Sequence, residues 1–448
     1  MGTSLSRSLG FADAVFINLG AIIGAGIFVI IGISAAAAGP AVLISIPLAG
    51  MVAIFTGISF AQVARHVDKE GGVYEYGKEV LSPYAGFVGG SLWTFGNIIA
   101  LSAVSISFGG YLDSVLNSSF PVLFIAVGIV TSFALLNILG VKNSAKTLRV
   151  IVAVNVLILA LFTIVGFFFF HPSHLSDFFI KGPAGIISGA AIIFFAFSGF
   201  SRVTTVSEEV IDPEKTIPKA IIVSILISAA LYLLISLSAL GLASAPSLAT
   251  STSPLALASS RTGLVFLVDI VSVGALVATS GVILTGILGT SRVMFAMGRD
   301  REIPAKVAIL DRYSTPVVAI IISLMLAVTM MPLASFGTIV EASNTCVLTA
   351  YAIINVAALK THMKYRKQVS RNTLMSKNLF FLIPVSGIIS IMIFFAFLGS
   401  ESIYIAGAVF LIGTVYYAAK WKIAGAGGTV PRKSRVRLFG RIRSKSEP

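Results

Sequence analysis

Apolar residues run along this chain in long, nearly uncharged stretches, separated by short clusters of charged residues, Pro and Gly. Crossing a hydrocarbon core takes about 20 residues of apolar helix. Breaks at the clusters predict twelve such segments, near residues 11–38, 41–64, 84–111, 121–139, 148–170, 184–202, 219–243, 263–297, 316–332, 338–359, 379–398 and 402–420. The eighth is the longest, and its last turns are expected to project into water. A helix that is apolar all round is either a membrane span or a buried core helix. Twelve in succession predict an all-α polytopic membrane protein.

Composition agrees. Of 448 residues, 56% are hydrophobic and 11% are charged, against about 25% charged in soluble domains. That excludes disorder, a nucleic-acid-binding domain and an ordinary cytosolic enzyme. The net charge of +14 would suit nucleic acid, but its distribution follows the spans instead. With twelve spans and both termini on one side, that side takes all of the 32 Lys and Arg residues except Lys181 and Arg261. Short cytoplasmic loops collect such residues, so the termini, residues 1–10 and the basic tail 421–448, are expected in the cytoplasm of a plasma-membrane protein. The basic inner loops and tail would meet anionic lipid. The first apolar segment has almost no basic region ahead of it and is too long for a signal peptide. The single cysteine, Cys346, lies in an apolar stretch and reads as a buried thiol. No nucleic acid, metal, cofactor or obligate protein partner is implied.

Glycine inside otherwise apolar spans is the most informative feature. The first span contains Gly20, Gly24 and Gly26, and the sixth reads Phe194-Phe195-Ala196-Phe197-Ser198-Gly199-Phe200. A helix-interior glycine costs about 1 kcal/mol relative to alanine, although small residues also let membrane helices pack closely. The clusters fall in the first and sixth spans. If residues 11–170 and 184–359 are five-helix repeats, their odd span number inverts the second, and the breaks become equivalent. The remaining helices, 379–420, are then peripheral. Inverted repeats with interrupted helices point to a transporter site at the membrane midplane. A half-helix N-terminus presents N–H donors to a carboxylate, and carbonyls at the opposite break can accept from an ammonium group. Together they form a receptor for a zwitterion.

Four motifs extend this reading. They are Gly24-Ala25-Gly26-Ile27-Phe28, then Glu70-Gly71-Gly72-Val73-Tyr74-Glu75-Tyr76, then Phe194 to Phe200 with Glu208-Glu209, Asp212-Pro213 and Ile217-Pro218, and last Ser291-Arg292-Val293 with Arg299-Asp300, Ile303-Pro304 and Thr315-Pro316. In this order and spacing the chain resembles the amino acid–polyamine–organocation superfamily of permeases, in particular its cationic amino acid transporter-like and bacterial or archaeal branches. The resemblance covers about residues 8–420. It implies a 5+5 inverted repeat with broken helices 1 and 6, two peripheral helices, and alternating access around one central site. It places a substrate carboxylate at the backbone of Ile23, Gly24, Ala25 and Gly26, and an α-amino group at carbonyls of Phe195, Ala196 and Ser198 beside Gly199. Phe195 would lid the site, or else be one more core- or lipid-facing aromatic. Asn97 would touch the substrate side chain, or else bond a neighbouring helix. Gly286 takes the place of a bulky residue in an arginine-handling relative, which favours a neutral or apolar amino acid.

Two departures bear on coupling. Many relatives carry an acid where this chain has Ser201, followed by Arg202, and some carry a lysine where it has Asn155. Neither Ser nor Asn titrates near neutral pH. Thr279, Ser280 and Thr285 offer hydroxyls of the kind a sodium site uses, while Asp269 and Glu341 could take protons, so H+ or Na+ coupling stays open. Glu208, Glu209, Asp212 and Lys215 read as an amphipathic inner segment with salt bridges. The four histidines are expected in loops, and no intramembrane-protease, serine-hydrolase or ATP-binding motif is present, which argues against an enzyme. The expected activity is secondary transport of an amino acid, by symport or exchange. A polyamine or organocation carrier, or a channel-like facilitator or nutrient sensor of the same fold, is the alternative.

Overall fold

A computed structural model of the chain describes residues 7–24, 26–67, 69–116, 120–251, 253–332, 336–365 and 377–426. Its α-helices are α1 (Phe11–Ile22), α2 (Ile31–Ala38), α3 (Val42–Ala64), α4 (Val73–Val80), α5 (Pro83–Leu116), α6 (Val122–Ile138), α7 (Val141–Phe168), α8 (Gly182–Phe197), α9 (Pro213–Leu242), α10 (Ala245–Ala249), α11 (Pro254–Ser260), α12 (Val265–Arg299), α13 (Val317–Met330), α14 (Phe336–Tyr365), α15 (Lys377–Phe395) and α16 (Ser400–Ala426). Among the described residues, β pairing is confined to one parallel bridge, Leu9 to Val210.

Eight stretches are long and apolar enough to cross a membrane, the first being Phe11–Ala64, while α6, α13 and Phe381–Phe395 are shorter apolar helices. Phe11–Ala64 reverses at Gly39-Pro40-Ala41 and so holds two crossings. Gly39 has φ +63° there, a conformation that L side chains avoid. Counting that stretch twice and adding the shorter helices recovers the twelve segments. The chain is an all-α polytopic membrane protein.

Helix pairings recur between the two halves. α1 packs on α7 and α9 as α8 packs on α14 and α3. α5 packs on α14 as α12 packs on α7, the α3–α14 pair matches α9–α7, and α5–α6 matches α12–α13. The first span and the sixth run antiparallel, α1 beside the 198–209 segment and α2 beside α8. α15 and α16 lie at the rim against α3, α14 and α5, with Leu382, Met392, Ile412 and Val415 exposed outward.

Two expectations about loops are corrected. The last turns of α12 do not project into water: Gly289 to Gly298 are buried, because Arg292 pairs with Glu209 and Met294 packs with Val307 and Ala319. His362 lies in the last turn of α14 rather than in a loop, and is buried.

Candidate functional site

The interruptions in the first and sixth spans take different forms. α1 ends at Ile22, Ile23 leaves helical geometry with ψ 88°, and the chain re-enters as a π-helical turn over Gly26–Ile30. Such turns recur at functional sites. In the sixth span, α8 tightens at Ser198 into 3₁₀ winding that reaches Glu209 across a kink at Val206 (φ −120°, ψ 27°). The first break is an unwound turn and the second a change of pitch.

The two breaks touch. A methyl on Gly26 would come within 2.6 Å of the Ala196 Cβ, one on Gly199 within 2.5 Å of the Ala21 carbonyl oxygen, and one on Gly24 would overlap Val282 of α12. The glycines therefore let three backbones meet at one depth. Most of this region is buried, yet Ala21, Ser198, Val282 and Asn97 keep partial exposure within it.

Backbone groups freed at membrane depth need partners, and side chains from other spans supply them. Tyr232 of α9 donates its hydroxyl to the Ile22 carbonyl at 2.5 Å, with the Ala196 carbonyl at 3.2 Å, so one phenol joins both breaks. Asn155 Nδ2 donates to the Ile23 carbonyl at 3.4 Å, and its buried Oδ1 has no partner among the described residues. The Tyr351 hydroxyl donates to the Ser198 carbonyl at 2.5 Å and lies 2.7 Å from Ser201 Oγ. Asn18 Oδ1 accepts from the Val203 N–H at 2.9 Å while its Nδ2 donates to Ser224 Oγ at 3.2 Å. Ser198 Oγ donates to the Phe195 carbonyl at 2.8 Å. The carbonyls assigned to an incoming ammonium thus already hold donors: Phe195 takes both the N–H and the hydroxyl of Ser198, Ala196 takes Tyr232, and Ser198 takes Tyr351.

Of the residues singled out in the sequence, Ile23, Gly24, Gly26, Phe195, Ala196, Ser198, Gly199, Asn155 and Ser201 come together here; Ala25 lies outside the described residues. Gly286 faces Leu101 of α5. Asn97 meets Arg202, which donates Nη2 to its Oδ1 at 2.6 Å. Thr279, Ser280 and Thr285 bond carbonyls of their own helix one turn back. Asp269 is exposed near the start of α12. Glu341 accepts from the Gly399 N–H at 2.9 Å, at the turn between α15 and α16. Tyr232, Tyr351 and Asn18 escaped sequence reasoning, because one polar residue in an apolar span carries no sign of which helix it will face.

Below the breaks, the face bearing the basic loops is sealed. Arg292 and Glu209 are both buried, with Nη2 and Oε1 2.9 Å apart, although the N–H is not aimed along that line and Glu209 Oε1 lacks a well-directed donor. Arg299 pairs with Glu208 at 2.8 Å. The Leu9 N–H donates to the Glu209 carbonyl at 2.9 Å, and the Ile211 N–H to that of Leu9 at 2.8 Å. Tyr74 donates to Asp300 at 2.6 Å, and Lys78 bridges Asp300 and Glu75. Gly71 (φ +112°) and Gly72 (φ +51°) turn the chain tightly against Ala296 and Thr204. This places Glu70 fully buried beside the cluster, with neither carboxyl oxygen partnered among the described residues. Burial pushes its carboxyl well above the usual range, the Glu209 and Glu208 charges add to that, and Arg292 and Arg299 oppose it.

On the opposite face, a cavity of about 570 Å³ is lined by residues including Val29, Ile33, Ile106, Tyr111 and Ser253. Exposed Gly110 and Thr250 stand at its rim. The Tyr111 hydroxyl donates to the Phe28 carbonyl at 3.4 Å, just past the first break. The bundle is thus closed at one face and hollow towards the other.

The profile of a family described as amino acid permease matches residues 9–423. An uncharacterized transporter of Mycobacterium tuberculosis is 31% identical over 419 residues, 93% of this chain and 92% of its own. A branched-chain amino acid permease of Bacillus subtilis is 31% identical over 381 residues, 81% and 82% of the two chains. A methylthioribose transporter of the same organism is 30% identical over 381 residues, with the same coverage.

Proposed function

The chain belongs to the amino acid permease family, and on that premise we propose that it carries an amino acid across the plasma membrane by alternating access. The observation that carries this reading is the meeting of the two interruptions, Gly26 against Ala196, with Tyr232 bonded to a carbonyl of each. A ligand seated there touches both spans at once. It can therefore favour one arrangement of the halves over the other, which is the only way a ligand shifts a conformational equilibrium.

The recurring helix pairs support two inverted five-helix units, 11–170 and 184–359. The charge distribution supports cytoplasmic termini and contact of the basic loops with anionic lipid. On that orientation the sealed face is cytoplasmic, and the conformation is outward-facing. Uncharged Ser201 and Asn155 favour exchange over proton symport, and the back-bonded hydroxyls of α12 give sodium no evident ligand set. The two Bacillus relatives are named for different cargoes, so membership leaves the cargo open. The N–H-rich turn opposite a set of carbonyls favours a zwitterion.

Uptake into proteoliposomes tests this, with labelled amino acids and methylthioribose offered against internal amino acid, a pH gradient or a sodium gradient. Saturable amino acid uptake driven by internal amino acid is expected. Uptake of methylthioribose alone, or of nothing, refutes the reading.

A further inference from the structure

Among the described residues, Arg202 is a buried guanidinium that the seal does not use. It lies in the first turns of the 3₁₀ stretch, only 4% exposed, with its side chain between α5 and α12. Nη2 bonds Asn97 Oδ1 at 2.6 Å, the guanidinium carbon stands 4.9 Å from the centre of the Trp93 ring, and Nε and Nη1 have no partner among the described residues. Gly289 makes room for it: a methyl there would come within 2.6 Å of Arg202 Cδ and overlap Nη1. The described ion pairs leave it no carboxylate. Asp13 is held by Arg149, Glu208 by Arg299, Glu209 by Arg292, Asp300 by Lys78 and Glu302 by Lys420.

Burying a charge without a counter-charge costs several kcal/mol, and a neutral side chain of similar size could hold Asn97 as well. Hydrogen bonding alone therefore does not account for the charge. Its position suggests what does. Ser198 is four residues before Arg202, about 8 Å at the 3₁₀ rise. Val282, which meets Gly24, is seven residues before Gly289, about 10 Å along α12. No described carboxylate stands near the breaks to offset the field.

We propose that Arg202 is a charge filter, a specificity-determining residue that excludes substrates with a cationic side chain and admits neutral or acidic ones. The inference rests on the amino acid reading above and adds the sign of the side-chain selectivity. Two unit charges about 10 Å apart at an effective dielectric near 20 repel enough to change relative affinity about 15-fold. Ligand α-amino and α-carboxyl groups are common to all candidates and cancel in the comparison.

The test is competition against a labelled neutral amino acid in proteoliposomes, by norleucine, lysine and glutamate, with the wild type, Arg202→Gln and Arg202→Lys. Norleucine and lysine have side chains of similar length, so their ratio isolates charge. In the wild type, lysine should compete at least about tenfold less well than norleucine. Arg202→Gln should shrink that gap several-fold and weaken glutamate, while Arg202→Lys keeps both. A merely structural role would lower all three competitors together and leave the ratio unmoved. An unchanged ratio in Arg202→Gln, or lysine matching norleucine in the wild type, overturns the filter while leaving amino acid transport standing. The wild-type ratio decides the matter even if Arg202→Gln does not fold. Absence of saturable amino acid uptake by the wild type overturns the transport reading and the filter together.

Discussion

Replacing Tyr232 with Phe removes one oxygen atom from the junction of the two breaks and little else. The ring keeps its edge-to-face contact with Phe197, 5.2 Å between centroids, so packing is conserved and the hydroxyl is isolated. In the native protein that hydroxyl is fully buried, 2.5 Å from the Ile22 carbonyl and 3.2 Å from that of Ala196. Without it, two carbonyls at membrane depth lose a donor, a cost of about 1–3 kcal/mol, equivalent to roughly 5- to 150-fold in an equilibrium constant. The loss falls on the arrangement in which both breaks are held together, which is the arrangement a substrate needs preformed. We expect Tyr232→Phe to raise the substrate Kd at least about fivefold and to lower the melting temperature of the purified protein. Cysteine labelling adds a readout of conformation, because the native Cys346 is buried and silent. With Ser107→Cys placed in the cavity lining, Tyr232→Phe should change the rate of modification. A Kd within about twofold of wild type together with an unchanged melting temperature would refute the coupling of the breaks through Tyr232, since the cost of leaving a buried carbonyl without its donor would then be missing.

The seal gives two further expectations. Glu209→Gln leaves Arg292 buried without its partner, at a cost of about 3–5 kcal/mol to the sealed form. A cysteine at buried Thr205 should then label faster from the basic face, with Arg292→Met in the same protein restoring slow labelling; equal rates in wild type and Glu209→Gln count against the gate. Glu70 sets a pH dependence. Its carboxyl is raised well above the ordinary value of 4.5 by burial, so the sealed form holds a proton that an opened, hydrated form releases. Sealing is then strongest at and below the ordinary value and weakens as pH rises through the raised one. Labelling of Thr205→Cys should accelerate with pH in the wild type and stay flat in Glu70→Gln, and matching profiles would exclude Glu70 as the titrating group.

Much of the architecture was already legible in the one-dimensional pattern. Twelve apolar segments and the places where two of them break follow from local rules. Lipid accepts only satisfied backbone, and glycine is costly in a helix without a reason. Gly24, Gly26 and Gly199 were visible as breaks for that cause. What the pattern did not contain is who repairs them. Tyr232, Tyr351, Asn155 and Asn18 each sit in a largely apolar span, and only the packing of α9, α14, α7 and α1 turns them towards the freed carbonyls and N–H groups. The winding of the sixth span was also hidden, because α and 3₁₀ turns differ by one hydrogen-bond register that Tyr351 and Ser198 help select through tertiary bonds. Glu208 and Glu209 read as part of an amphipathic segment with salt bridges, and both are paired, but only the fold shows that their partners are Arg299 and Arg292 and that Glu209 is buried at the end of α12. Local sequence thus determined where the chain crosses and where it yields. Tertiary structure decided which side chains meet at the yielding points, because those bonds join residues far apart in the chain, Tyr232 and Ile22 being separated by 210 residues.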